Sequence, residues 1–261
     1  MPAGSTDRTT LRNVQPEAST GPEGKGVTKL GESSRDNGRG ADGRLHARPQ
    51  PSGAEPDVER GARPLGLGSR RDGLLYVPQT YGAGRPAPLL LLLHGAGASG
   101  RDVLPWFTPF ADGKGLLVLA PDSRSSSWDV IRGGYGPDVG FIDRALDQVF
   151  SRHDVDAGRI AVGGFSDDAS YALSLGLMNG GLFSDILAFS PGFMAPTLVE
   201  GAPRIFISHG IHDTVLPIER CGRRLARTLK EAGYDVDYRE FDGGHTVPLD
   251  MIVPAIERFL S

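Results

Sequence analysis

Three short stretches of the chain carry the residue types of nucleophilic acyl transfer. Gly164-Phe165-Ser166-Asp167-Asp168 offers a serine hydroxyl, His209-Gly210-Ile211-His212-Asp213 an aspartate, and Asp242-Gly243-Gly244-His245-Thr246 an imidazole in a glycine-rich loop. A serine hydroxyl is a poor nucleophile near neutral pH. It needs a base, and the base needs a carboxylate that fixes its tautomer and stabilises its cation. Ser166, Asp213 and His245 supply one of each. Alone, each is a weak signal; together, in this order, they are a strong one.

The other reactive residue types give less. His94 ends an apolar run and is expected to brace the loop that follows it. His209 and His212 flank Asp213 without metal-ligand spacing. His153 follows a helical stretch and is expected at the surface, and Cys221 is expected in helix packing. Asp122 either shapes the pocket or caps a turn. Trp106, Phe107, Trp128, Phe193 and Met194 are read into loops on the catalytic side, where they line an acyl pocket or cover the end of the sheet; Trp128, Phe193 and Met194 are the pocket candidates. Gly95-Ala96-Gly97 lacks the Lys-Ser/Thr of a nucleotide phosphate loop. No metal or cofactor is expected.

The elements that must position the three residues follow from hydrophobic runs. Leu89 to Leu93 is continuously apolar, the pattern of a strand buried on both faces. Strands are expected at 74–77, 89–94, 116–120, 159–163, 186–189, 204–208 and 236–241. Helices are expected at 101–112, 141–150, 167–178, 219–232 and 249–260. Alternating strands and helices predict a mostly parallel sheet with helices on both faces, an α/β fold whose ligands sit beyond the carboxyl ends of the strands. Ser166, Asp213 and His245 all follow such ends. A serine on a sharp strand-to-helix turn has an exposed hydroxyl, and the helix N-terminus aims N–H groups at an oxyanion formed there.

Composition divides the chain. Residues 1–64 hold ten Gly, seven Pro, ten Lys/Arg, nine Asp/Glu and no aromatic residue. Their apolar residues show no period, so the segment is expected to be disordered, with a folded domain over residues 65–261. The net charge of −4 argues against a large nucleic-acid footprint, and one cysteine excludes an internal disulfide. No stretch approaches the ~20 apolar residues of a membrane span. No signal-peptide core is seen, so a cytoplasmic location is expected. The oligomeric state is left open.

Arg71 to Pro78, Leu93-His94-Gly95-Ala96-Gly97, Ala120-Pro121-Asp122-Ser123-Arg124, Gly164 to Asp167 and Asp242 to His245 together resemble the α/β-hydrolase serine esterases of the phospholipase/carboxylesterase group, and within it small bacterial esterases. The resemblance implies an α/β-hydrolase fold without a large lid. It implies Ser166 as nucleophile, His245 as base, Asp213 as its partner, and an oxyanion hole from the N–H groups of Ala96 and Asp167. It implies hydrolysis of small-molecule carboxylic esters, with thioesters or polyesters as alternatives on the same triad.

One position departs from that pattern. Asp168 stands where the motif Gly-x-Ser-x-Gly has its last glycine. If its carboxylate points outward, little changes. If it lies about 7 Å from the oxyanion, repulsion of roughly 2 kcal/mol, some thirtyfold in rate, is expected. A catalytically impaired binding protein on a hydrolase scaffold is the alternative that Asp168 raises.

Overall fold

The computed structural model describes residues 40–50, 58–68, 70–82 and 84–261. In chain order the elements are β1 (Gly61–Pro64), β2 (Gly73–Val77), β3 (Ala87–Leu92), α1 (Gly100–Lys114), β4 (Leu117–Pro121), α2 (Pro137–Arg152), β5 (Val155–Phe165), α3 (Asp167–Met178), β6 (Asp185–Phe189), β7 (Arg204–Gly210), α4 (Gly222–Glu231), β8 (Val236–Phe241) and α5 (Leu249–Leu260). A 3-10 turn, Asp129–Arg132, interrupts the connection from β4 to α2. The eight strands form one sheet in the order β1-β2-β4-β3-β5-β6-β7-β8. β1, β2 and β4 pair antiparallel, and β4 through β8 pair parallel.

The apolar runs become strands because helices cover both faces. Leu89, Leu91 and Leu93 pack with Phe141 and Ile142 of α2, Leu173 of α3 and Leu225 of α4. Leu90 and Leu92 point the other way, onto Val103 and Phe107 of α1 and Ile256 and Phe259 of α5. Period-two alternation thus sends neighbouring leucines into two separate cores. α1 opens on a capping box, with Ser99 N–H and Oγ–H both donating to Asp102 Oδ2 at 2.8 and 2.7 Å. α3 is buried along its length from Asp168 to Met178. It directly follows β5, so the nucleophile turn is held between two core elements.

Residues 40–50 and 58–64 correct the expected domain boundary. Leu45 and Ala47 are buried in the core shared by α2 and α3. Leu45 N–H donates to Asn179 Oδ1 at 2.8 Å, and Asn179 Nδ2 returns a hydrogen bond to Gly43 O at 2.9 Å. The His46 and Ala47 N–H groups both donate to Asp143 Oδ1. β1 adds an edge strand to β2. These partners lie far along the chain, so no local period announces them. Residues 1–39 and 51–57 of the expected disordered segment lie outside the described residues.

Smaller differences have similar causes. β5 starts at Val155, ahead of the expected 159, because Val155 pairs with Ala87. Trp106 and Phe107 belong to α1 and not to loops. His153 is buried beside the Tyr81 ring, 5.7 Å between centroids, and not at the surface.

Candidate active site

Ser166 links β5 to α3 with φ 63° and ψ −125°, a backbone state that non-glycine residues rarely adopt. Two neighbours hold it there. Its N–H donates to Phe189 O at 2.9 Å, at the end of β6. Gly164 lets strand and helix approach, since a Cβ there would meet the Asp168 carbonyl carbon at 2.7 Å. The hydroxyl therefore stands clear of the sheet end.

Asp213 occupies the turn after β7, its carboxylate fully buried. Oδ1 accepts the N–H groups of Val215 and Leu216 at 2.9 and 2.8 Å. Oδ2 accepts from His245 Nδ1 at 2.7 Å. Burial alone would raise the acid's pKa, but the Leu216 N–H, the His245 ring and the Val215 N–H outweigh it and hold the pKa below the usual value. Asp213 is thus an anion at neutral pH, fit to stabilise an imidazolium.

His245 lies in the loop between β8 and α5. Gly210 lets this loop close on the Asp213 turn, because a Cβ there would sit 2.3 Å from Gly244 O. With Nδ1 donating to Asp213, Nε2 accepts the Ser166 Oγ–H at 2.8 Å. The imidazole packs on Phe165, 4.6 Å between ring centroids. The structure thus brings Ser166, His245 and Asp213 into one hydrogen-bonded line from three strand ends.

Ala96 is exposed in the turn after β3, and Asp167 is the first residue of α3. Among the described residues neither N–H is taken up by another group. The Ala96 loop is braced on both sides. Gly97 N–H donates to Ser126 O, and the Arg71 guanidinium donates to Ala98 O at 2.8 Å. Below it, His94 Nδ1 donates to Gly95 O, while Nε2 accepts from Ser123 N–H at 2.8 Å. Burial lowers the His94 pKa, which keeps the ring in this neutral, bracing form.

The pocket expectations need correction. Trp128 and Met194 are fully buried and line no open surface. Trp128 stacks on Tyr171, 5.2 Å between centroids, and its Nε1–H donates to His94 O at 3.0 Å. Phe193 is part-buried, its N–H held by Ser170 Oγ. Asp122 caps turns, accepting from Gly100 and Asp72 N–H groups. Apolar exposure near the triad comes instead from Trp106, which faces Phe165 at 6.3 Å, and from Ile211 and Val215 on either side of Asp213. Asp168 is not outward: its relative exposure is 0%. His212 pairs with Asp242 at the surface. His209 is a residue that sequence reasoning set aside. It is buried, and its Nε2 lies 2.8 Å from Leu216 O and 3.2 Å from Asp213 Oδ2.

Among the described residues no cluster of metal-binding side chains occurs, and no helix is long and apolar enough to cross a membrane.

A sheet of this order, with Ser, Asp and His after β5, β7 and β8, defines an α/β-hydrolase. Residues 139–261, which carry all three side chains, match the phospholipase/carboxylesterase family model. The probable feruloyl esterase C of Aspergillus oryzae (strain ATCC 42149 / RIB 40) is 28% identical over 176 residues, 64% of this chain and 63% of that protein. That of Aspergillus niger (strain ATCC MYA-4892 / CBS 513.88 / FGSC A1513) is 27% identical over 175 residues, with the same coverage. The chain thus spans 63% of the length of these fungal relatives. Among solved structures, esterase PE8 superposes with a TM-score of 0.61 at 23% identity, over 74% of this chain and 100% of that one. The ferulic acid esterase AmCE1/Fae1A from Anaeromyces mucronatus, in complex with ferulic acid, gives 0.59 at 17% identity, over 79% and 92%. At these identities the structural likeness is one of fold.

Proposed function

We propose that this chain is a serine carboxylesterase working through an acyl-enzyme. One observation carries the reading: Ser166 Oγ, His245 Nε2 and Nδ1, and Asp213 Oδ2 form a continuous line with steps of 2.8 and 2.7 Å. Ser166 Oγ attacks the ester carbonyl carbon as His245 Nε2 takes its proton. Asp213 remains ionised and holds the imidazolium. The free N–H groups of Ala96 and Asp167 receive the oxyanion, an interaction worth a few kcal/mol in such sites. Collapse of the tetrahedral species expels the alcohol, protonated by His245. Water, deprotonated by His245, then attacks the acyl-serine and releases the acid.

A second reading concerns the acyl group. The Trp106, Phe165 and His245 rings form a row ending at the nucleophile, with spacings of 6.3 and 4.6 Å. Such a row favours an aromatic acyl group, stacked beside the reacting carbonyl. The names of the Aspergillus relatives agree with a phenolic acid ester.

Labelling with a fluorophosphonate, followed by mass spectrometry of the modified peptide, tests the first reading. The label is expected on Ser166; an unlabelled, active protein would overturn the mechanism. Rates on methyl ferulate, para-nitrophenyl esters of graded acyl length, an acyl thioester and a polyester film test the second. Preference for a straight-chain ester, a thioester or the film over the ferulate would reject the aromatic acyl group.

A further inference from the structure

Asp168 is the second residue of α3, two positions after the nucleophile, and none of its surface reaches solvent. Among the described residues neither carboxyl oxygen has a hydrogen-bond partner. Its Oδ2 lies against the oxyanion loop, 3.6 Å from where a Cβ on Gly95 would stand. The Trp128 indole N–H, which would favour the charged form, is committed to His94 O at 3.0 Å.

The charges around it give no counterion. On its own helix Asp167 is of like sign. From the loop after β3 the neighbour is Gly95, preceded by His94, which burial keeps neutral. From β5 it meets Gly164 and from the loop after β4 Trp128, neither of them charged. Asp168's own backbone N–H and the N-terminal dipole of α3 favour an anion there, and neither outweighs the burial. A buried carboxylate with neither cation nor donor is costly, and such groups take up a proton instead. Burial, and then the Asp167 charge, push the Asp168 pKa well above the usual range.

We infer that Asp168 is a positioning residue held as a neutral carboxylic acid behind the Gly95–Ala96 loop, and that loss of its proton disables the oxyanion hole and closes the esterase at alkaline pH. The inference rests on the esterase reading. In neutral form the side chain fills the space beside the loop and adds no charge. Ionised, it places an anion beside the site where the Ala96 and Asp167 N–H groups must stabilise another. It also gains a reason to draw water or an N–H group toward itself. Asp168 would thus leave the enzyme competent at neutral pH and add an ionisation that a glycine there lacks.

Two measurements test this on the full chain. Infrared difference spectra of wild type minus Asp168→Asn, near pH 7, are expected to show the carbonyl band of a neutral carboxylic acid. Its absence would overturn the inference whatever the activity. The second is kcat/KM on a para-nitrophenyl ester from about pH 6 to 10, with far-UV circular dichroism at each pH. Wild type is expected to fall roughly tenfold or more on the alkaline side while still folded. Asp168→Asn and Asp168→Gly are expected to lack that fall, and the glycine variant guards against misfolding of the amide. An alkaline fall shared by all three proteins, or one that tracks unfolding, would overturn the switch. Loss of fluorophosphonate labelling at Ser166 in every form near pH 7 would instead reject the esterase reading, with the infrared band still deciding the state of Asp168.

Discussion

His209 Nε2 stands 3.2 Å from Asp213 Oδ2, the same oxygen that receives His245 Nδ1 at 2.7 Å. One carboxylate oxygen therefore faces two imidazoles, one in the triad and one buried behind it. Burial lowers the His209 pKa, so the ring is neutral, and with Leu216 O at 2.8 Å its Nε2 carries the proton. His209 thereby ties the Asp213 side chain to the backbone of its own turn. His209→Ala is expected to lower kcat about tenfold, or about 1.4 kcal/mol, with little change in KM. His209→Gln, whose amide N–H can take the place of Nε2–H, is expected to restore most of the loss. Equal kcat in wild type and the alanine variant would remove His209 from the site.

The triad itself predicts a split between activity and stability. Ser166→Ala is expected to abolish the acyl-enzyme burst and fluorophosphonate labelling. Asp213→Asn is expected to lower kcat by about 10³ to 10⁴, because the imidazole loses its tautomer. Ser166→Gly is expected to raise the melting temperature by relieving φ 63°, worth about 1 kcal/mol. Thermal melts beside steady-state kinetics check all three, and undiminished turnover in Ser166→Ala would contradict the mechanism.

At the amino-terminal side the effect of truncation depends on where it ends. Residues 1–39 have no core-forming pattern, and removing them is expected to leave the melting temperature nearly unchanged. Removing residues 1–60 uncovers the site of Leu45 and leaves Asn179 without its partners at Gly43 and Leu45. That loss is expected to lower the melting temperature by several degrees, as is Asn179→Ala, at about 1–3 kcal/mol. Matching melts for the two truncations would show that residues 40–60 add nothing.

The connection from β4 to α2 predicts a pH effect on stability. Asp129 and Asp138 clasp each other's backbone: Asp138 Oδ2 accepts Asp129 N–H at 2.7 Å, and Asp129 Oδ2 accepts Asp138 N–H at 3.0 Å. Burial, partly offset by the Arg124 N–H, raises the Asp138 pKa to about 6. A carboxyl whose folded pKa exceeds its unfolded one adds stability that is fully present below the unfolded value, near 4. That stability is lost as pH rises through about 6. Relative to Asp138→Asn, wild type is expected to lose about 3 kcal/mol across this window. Denaturant melts at several pH values measure it, and parallel curves would count against the raised pKa.

Trp106 is expected to set acyl preference. Its ring is exposed and faces Phe165, which in turn packs on the His245 ring. Trp106→Ala is expected to raise KM for an aromatic acyl ester about tenfold and to change KM for an acetate ester much less. A uniform change across both substrates would place the aromatic acyl group elsewhere.

What the sequence alone determined here is local. Five leucines in a row demand a strand buried on both faces, and Leu89 to Leu93 became β3 and the residue after it. A serine between Gly164-Phe165 and a helical stretch, an aspartate after a strand and a histidine among glycines were legible because turn chemistry is written in adjacent residues. The tertiary structure decided burial and partnership. Trp128, Met194 and Asp168 read as residues near the sheet end, and only packing against other segments shows them buried. His209 had no visible role until the fold set Leu216 O and Asp213 Oδ2 around one ring nitrogen. Leu45 looked like an isolated apolar residue because its partner, Asn179, is 134 residues away. Hydrophobic periodicity and turn residues act over a few positions, whereas exposure and counterions depend on the whole packed chain.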